Sequence, residues 1–144
     1  MDIEVLDAPL GAASAMKMLK TVYSKGLQQL VLEYLLAAQS YGILDQMVNG
    51  VHNPMEGKTL AEYADEAMPR LFLHAKRRAT EVANAVETVE QGGLDAIMTR
   101  AAQTGFERAA ALNLAERFPA LSQMNYQQII QAVLPLLKQE RVQA

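Results

Sequence analysis

The sequence of 144 residues contains no cysteine and no tryptophan, and its only histidines are His52 and His74. Without cysteine there is no disulfide, no thiolate nucleophile and no thiolate metal ligand. Two histidines are too few for most histidine metal centres, so we expect no metal site. The glycine-rich dinucleotide loop, the P-loop, the zinc-protease motif and the serine-hydrolase elbow are missing as well. The chain therefore carries no complete motif of a common enzyme class.

Long hydrophobic runs and an excess of positive charge are also absent. Lysine and arginine total 13 against 16 aspartate and glutamate, and this net charge of −3 argues against a nucleic-acid partner. No apolar run reaches the roughly 18 residues of a membrane span, and the acidic start of the chain does not resemble a secretion signal. We expect a cytoplasmic protein with neither nucleic-acid nor membrane partners.

The composition favours helices over strands. The sequence has 23 alanines and 19 leucines against 10 valines and 5 isoleucines, and alanine and leucine are strong helix formers whereas valine and isoleucine favour strands. This balance predicts an all-α fold, a multi-helix domain of five to seven helices with a long, central first helix.

Two regions differ in their patterning. Residues 1–10 alternate loosely between apolar and acidic side chains before Pro9 and Gly11, which predicts a short strand and a turn. Residues 11–144 read as one helical domain, whose first helix runs from Gly11 to about Gln39. A single strand cannot complete a sheet by itself. Residues 1–10 are therefore interpreted either as a tail or as the remnant of a sheet that belongs to another domain.

Capping residues and prolines divide the rest of the chain. Thr59 with Glu62 and Asn125 with Gln128 have capping-box spacing, which predicts a helix start at each pair. Pro69 is expected to break or kink a helix.

Apolar residues at alternating steps of three and four then predict one helix from Phe72 to Val89, closed by Gly92 and Gly93. Another helix is predicted to begin at Leu94.

The second half of the first helix, Leu27 to Ala38, is apolar on nearly all sides. Such a helix is typical of a central, buried position. It is also too apolar for a surface helix, which favours burial by a second copy of the chain. We therefore expect a homodimer.

Lys17 is the most informative candidate for chemistry. Ser14, Lys17 and Thr21 recur at steps of three and four and so share one face of the first helix. A lysine there commonly extends its ammonium into solvent. A partly desolvated lysine can instead act as a general acid or base near neutral pH. Small residues from Gly11 onward let a ligand approach the start of this helix. Spacing alone favours the solvated lysine, and the small residues shift the balance toward a functional site.

A basic cluster contains His74, Lys76, Arg77 and Arg78. Its cations could contact a phosphate or a carboxylate. They could instead form a solvated helix face, and the periodicity favours this second interpretation.

The segment APLGAASAMKMLKTVYSKG, residues 8–26, followed by a long apolar helix resembles the start of the C-terminal domain of β-hydroxyacid dehydrogenases. This family includes 6-phosphogluconate and 3-hydroxyisobutyrate dehydrogenases. The stretch MPRLFLHAKRRATEV, residues 68–82, also resembles a branch of the family. The residues that match the first motif are Gly11, Ala13, Ser14, Lys17, Met18, Lys25 and Gly26.

The resemblance implies a fold and specific roles. It implies that residues 1–10 end an N-terminal nucleotide-binding domain and that residues 11–144 form a C-terminal substrate and dimerisation domain. Lys17 would be the catalytic lysine that takes the proton of the substrate hydroxyl as hydride leaves the same carbon. Ser14, Thr21 and Lys76 would contact the substrate, although the family usually has Asn where Thr21 stands and Asp where Arg77 stands.

The function implied is that of a domain from an NAD(P)-dependent oxidoreductase that acts on a small anionic β-hydroxyacid. NAD or NADP would bind the parent enzyme. The chain alone, which lacks the glycine-rich cradle, would hold no cofactor and be inactive. The alternative is a standalone helical dimerisation or interaction module that performs no chemistry.

Overall fold

The computed structural model describes Pro9 and residues 11–144, and in this part of the chain the fold is all-α. The predicted fold class is therefore confirmed. The strand expected within residues 1–10 lies outside the described residues, apart from Pro9. The helices are α1 (Ala12–Ser40), α2 (Leu44–Gly50), α3 (Leu60–Leu73), α4 (Ala75–Gln91), α5 (Ile97–Ala111), α6 (Leu114–Arg117), a 3₁₀ turn (Leu121–Gln123) and α7 (Tyr126–Gln143).

The main core lies between α3, the α5–α6 junction, the 3₁₀ turn and α7. Its fully buried side chains are Leu114, Leu121 and Ile129. Met68 and Phe72 of α3 pack against this cluster. Each of these large side chains contributes roughly 1.5–3 kcal/mol by leaving water. This cluster fixes the C-terminal half of the chain.

A second, smaller core joins α4 to the start of α5. Val86 and Val89 of α4 pack with Ala96, and Ala37 of α1 and Leu94 pack against them. The Tyr41 hydroxyl donates to the carbonyl of Thr88 at 2.7 Å. The C-terminal end of α1 is therefore anchored to the end of α4.

Both predicted capping boxes are confirmed. Thr59 Oγ1 accepts from the Glu62 N–H at 3.2 Å, and the Glu62 carboxylate accepts from the Thr59 N–H at 2.7 Å. Asn125 and Gln128 form the same reciprocal pair, with both distances 2.9 Å. Two of the orphan donors at the start of α3 and of α7 are satisfied in this way.

Of the break or kink expected at Pro69, the break is wrong, because α3 continues through Pro69 to Leu73 and ends at His74. A proline inside a helix costs one hydrogen bond and about 3 kcal/mol. Pro69 is buried, and Met68 and Phe72 beside it pack against the main core. Tertiary packing therefore offsets the local penalty. As a result Phe72 belongs to α3, and α4 begins three residues later than expected, at Ala75.

The first helix has the expected length, but the prediction that its second half is buried is wrong within this chain. Ala38 is the buried residue of α1, whereas Leu30 and Leu32 are each 48% exposed. The physical reason is sparse packing, since the 29-residue α1 packs mainly on α2 and α5 and, at its C-terminal end, on α4. Its apolar sides have few other helices to cover them.

Candidate functional site

The polar residues of the N-terminal half of α1 form an exposed surface that we call the Lys17 stripe, consisting of Ser14, Lys17 and Thr21. All three side chains are exposed. Thr21 Oγ1 donates to the Lys17 carbonyl oxygen at 3.3 Å, which is a local hydrogen bond along the helix. Farther along α1, Lys25 Nζ donates to Gln28 Oε1 at 3.4 Å. The predicted placement of these polar residues along α1 is therefore observed.

The opposite side of α1 lines a groove of about 760 Å³ that includes Leu60 at the start of α3. The α1 residues of the groove are Ala12, Ala15, Met16, Leu19, Lys20, Tyr23 and Ser24. At about 3.6 residues per turn, Ala12, Leu19 and Tyr23 lie across the helix from the Lys17 stripe. Lys20 and Ser24, three and seven residues after Lys17, lie where the groove borders the stripe. Tyr23 also reaches the loop before α3, because its hydroxyl lies 3.8 Å from Met55 Sδ.

The Lys17 stripe therefore points away from the side of α1 that faces α3. Residues 1–8 lie outside the described residues. The roles that the resemblance assigns to Lys17, Ser14 and Thr21 stay predictions.

Lys76, the other predicted substrate contact, lies in the first turn of α4 and is exposed. The carbonyl of Lys76 accepts from Thr80 Oγ1 at 3.5 Å. Within the described residues, no hydrogen bond or ion pair joins Lys76 to the Lys17 stripe. The described contacts therefore do not bring the two candidate lysines into one site.

Two adjacent arginines of the basic cluster, Arg77 and Arg78, have different surroundings. Arg77 Nη1 pairs with Glu81 Oε1 at 3.1 Å on an exposed helix face, as expected for a solvated cluster. Arg78 is half-buried and lines a pocket of about 390 Å³ together with residues of α3 and of the loop before it. We call this the cationic pocket, and its lining residues are His52, Pro54, Lys58, Tyr63, Glu66, Ala67, Arg70 and Arg78.

Sequence reasoning missed the cationic pocket, although a signal for it exists. Tyr63, Glu66, Ala67 and Arg70 follow the i, i+3, i+4, i+7 spacing of a single helix face. That spacing shows that they lie together on α3. It does not show that Arg78, from the next helix, joins them.

Glu33 holds the start of α5, which sequence reasoning also missed. Its carboxylate accepts from the Met98 N–H at 2.7 Å, the Thr99 N–H at 2.9 Å and Thr99 Oγ1 at 2.6 Å. Partial burial acts to raise the pKa of Glu33, but the hydrogen bonds from Thr99 and Met98 outweigh it and lower the pKa. An ionised carboxylate at a helix N-terminus is electrostatically favourable. Glu33 is therefore a structural residue that docks α1 onto α5.

The comparison with protein families identifies the chain. The family described as a domain of unknown function, DUF1932, matches residues 38–109, which is half of the sequence. The chain belongs to this family. DUF1932 domains are C-terminal helical domains of 3-hydroxyisobutyrate dehydrogenase-like proteins. The resemblance is confirmed at that level.

An uncharacterised 28.5 kDa protein in the 7S RNA 5′ region of Methanothermus fervidus is similar to this chain. The two are 28% identical over 105 residues, which cover 73% of this chain and 41% of that protein. The chain thus spans less than half the length of this curated relative. No solved structure matches the chain.

The DUF1932 match covers one candidate surface and not the other. Residues 38–109 include Lys76 and the whole cationic pocket, whereas Lys17 lies before them. The assignment of Lys17 therefore depends on the motif of residues 11–26 and not on the family match.

Pro9 and residues 11–144 also lack two features. In that part of the chain no three His, Asp or Glu side chains come together as metal ligands would. None of its helices is both long enough and apolar enough to cross a membrane.

Proposed function

We propose that this chain is the C-terminal domain of a cytoplasmic NAD(P)-dependent oxidoreductase that acts on a small β-hydroxyacid. Membership of DUF1932, whose domains occur in 3-hydroxyisobutyrate dehydrogenase-like proteins, is the observation that carries the proposal. The Lys17 stripe adds support, because a lysine with two hydroxyl side chains on one exposed helix face suits the recognition of a hydroxyacid.

The described residues do not fit the dinucleotide itself. A dinucleotide needs a strand, a glycine-rich turn and a helix to cradle its pyrophosphate, and residues 11–144 contain no such unit. NAD or NADP would therefore be held elsewhere in the parent enzyme. The contribution of this chain is confined to binding the substrate and moving a proton.

Lys17 Nζ would carry out the proton transfer. As a neutral amine it accepts the proton of the substrate hydroxyl, and as an ammonium it returns a proton in the reverse direction. Ser14 would donate a hydrogen bond to a substrate oxygen. Thr21, whose hydroxyl donates to the Lys17 carbonyl, would accept a hydrogen bond from the substrate. Lys76, on α4, would be a further substrate contact. An exposed amine must be desolvated to act near neutral pH. The covering surface would come from a nucleotide-binding domain packed on the Lys17 stripe.

The test uses the enzyme in which this domain is joined to a nucleotide-binding domain. Lys17→Ala should lower turnover of small β-hydroxyacids, followed by nicotinamide absorbance, by about a hundredfold or more, as loss of a general acid or base does. Lys20→Ala is the matched control, because Lys20 lies on the same helix but lines the groove with Leu60. Unchanged turnover in a folded Lys17→Ala enzyme would overturn the catalytic role.

A second candidate function is a helical dimerisation module, and the exposed apolar surface of α1 favours it. Leu27, Leu30, Leu32 and Leu36 are each between 45% and 48% exposed. A helix of 29 residues is roughly 43 Å long, a sufficient length for an interface of about 800 Å² per partner. We infer that a second copy of the chain covers this segment.

Light scattering at micromolar concentration tests the dimer. The expected mass is that of two chains, and Leu30→Lys should shift it toward one. Leu134→Lys is the control, since Leu134 is also 48% exposed but lies on α7. A monomeric mass for the unmodified chain would contradict the dimer. A dimer without oxidoreductase activity in the joined enzyme would favour the module alone.

A further inference from the structure

We propose that the cationic pocket binds a small anion through its phosphate or carboxylate group, with Arg70 and Arg78 as the main ligands. The pocket is formed by three consecutive parts of the chain: the loop before α3, one face of α3 and the first turn of α4. Its volume of about 390 Å³ falls within the range of roughly 300–1,000 Å³ of small-molecule sites.

The charges of the lining residues leave a positive surplus. Lys58 Nζ lies 2.6 Å from Glu66 Oε2, so these two charges neutralise each other. The hydrogen bond from Lys58 and the positive charge of Arg70 lower the pKa of Glu66, which is therefore ionised at neutral pH. Arg70 and Arg78 remain. Within the described residues, no carboxylate lies within ion-pair distance of either guanidinium.

The side chains that remain are suited to an oxyanion. A guanidinium presents a planar fork of N–H donors that matches the geometry of carboxylate and phosphate. Tyr63 and His52 also line the pocket and carry further polar groups. Pro54 and Ala67 supply short apolar walls. The arrangement thus combines two permanent cations with further hydrogen-bonding groups in a concave site.

The contrast between Arg77 and Arg78 distinguishes a site from a merely solvated basic face. Arg77 is exposed and already paired with Glu81 at 3.1 Å. Arg78 follows it directly but is half-buried and lines the pocket. In a solvated basic face the two arginines would be equivalent, whereas an anion in the cationic pocket would contact Arg78 and not Arg77.

This inference does not rest on the proposed oxidoreductase function. The Lys17 stripe shares no residue with the cationic pocket. Anion binding can be measured on the chain by itself, without a cofactor and without turnover. Failure of the catalytic test would leave the anion site intact, and the reverse also holds.

The experiment titrates inorganic phosphate into the isotopically labelled chain in phosphate-free buffer, with amide and arginine side-chain NMR shifts as the readout. Succinate is titrated in parallel, so that a preference for phosphate or for carboxylate becomes visible. We expect saturable shifts at residues of the pocket. Arg78→Gln and Arg70→Gln should each weaken binding about tenfold, which corresponds to roughly 1.4 kcal/mol.

Arg77→Gln is the matched control and should leave the affinity for phosphate within about twofold. Arg78→Lys keeps the charge but loses the planar fork, and its affinity should lie between those of the unmodified chain and Arg78→Gln. Circular dichroism checks that each variant is folded. Shifts that do not saturate, or equal losses in Arg77→Gln and Arg78→Gln, would overturn the proposal.

Discussion

Ile129 on α7 and Leu30 on α1 are both large apolar side chains in long helices, but Ile129 is buried and Leu30 is exposed to solvent. Ile129 is 0% exposed, whereas Leu30 is 48% exposed. Around Ile129 the chain brings together α3, the 3₁₀ turn and the end of α5. Among the described residues, the main neighbours of α1 are α2 and α5. Apolar composition thus indicates which side chains would gain from burial. The elements that pack around each side chain decide whether it is buried.

Truncation of Ile129, on the buried side of this comparison, is expected to cause the largest loss of stability. Ile129→Ala should lower the free energy of unfolding by roughly 2–5 kcal/mol, because it removes buried methyl groups and leaves a cavity. Leu134→Ala on the same helix should cost well under that amount, since Leu134 is 48% exposed. Urea denaturation of both variants measures the difference. Equal losses would contradict the placement of the main core.

Removal of the Glu33 carboxylate tests how firmly α1 is held. Glu33→Gln should cost roughly 1–2 kcal/mol, because it weakens the cap of α5 at Met98 and Thr99. Glu87→Gln, at an exposed position of α4, is the control. Thermal unfolding of the two variants at neutral pH should separate them. Identical midpoints would show that Glu33 does not hold the two helices together.

The lowered pKa of Glu33 also predicts a dependence on pH. The folded-state pKa lies below the unfolded reference value of 4.5, so the carboxylate contributes stability above that value and loses it as the pH falls through the folded-state pKa. The stability gap between the native chain and Glu33→Gln should therefore narrow below about pH 4.5. A gap that stays constant under acidic conditions would assign the effect to packing instead.

Gly92, just after α4, tests the contact between the ends of α1 and α4. A Cβ added there would lie 2.6 Å from Ser40 Oγ and 3.2 Å from the Tyr41 ring. Ser40 would have to give up its hydrogen bond to the Ala37 carbonyl. We expect Gly92→Ala to cost about 1 kcal/mol, the order of one net hydrogen bond. A thermal midpoint at or above that of the unmodified chain would contradict this close approach.

Substitution of Gly26 or Gly105 by alanine should change the stability least, and it should raise the stability instead of lowering it. Both lie inside helices, and an added Cβ would meet nothing within 4 Å at either position. Alanine lowers the entropy cost of helix formation, so each substitution should stabilise the chain by roughly 0.5–1 kcal/mol. Calorimetry can resolve a shift of this size. A loss of stability at Gly26 would indicate that a second chain approaches α1 closely there.

Several features could be predicted from local sequence, because their physics is local. Thr59 with Glu62 and Asn125 with Gln128 cap their helices through residues only three positions apart. The wealth of alanine and leucine over valine and isoleucine predicted the all-α fold. The placement of the Lys17 stripe on α1 followed from helical spacing, although its catalytic role remains a proposal.

Other features depend on residues that are distant in sequence. Pro69 remains helical because the main core packs around it, which no local rule anticipates. Glu33 caps a helix that begins 64 positions later, and its partners Met98 and Thr99 carry no signal in the sequence. Arg78 joins Arg70 only because α3 ends at His74 and the chain turns into α4.

The sequence alone determined the capped starts of α3 and α7, which residues share a helix face and which motifs are absent, because capping and periodicity act over a few residues. The tertiary structure decided which apolar faces are covered, which carboxylate holds α1 to α5 and which arginine lines the cationic pocket. Burial and electrostatic pairing depend on distances across space, and those distances exist only once the helices have packed.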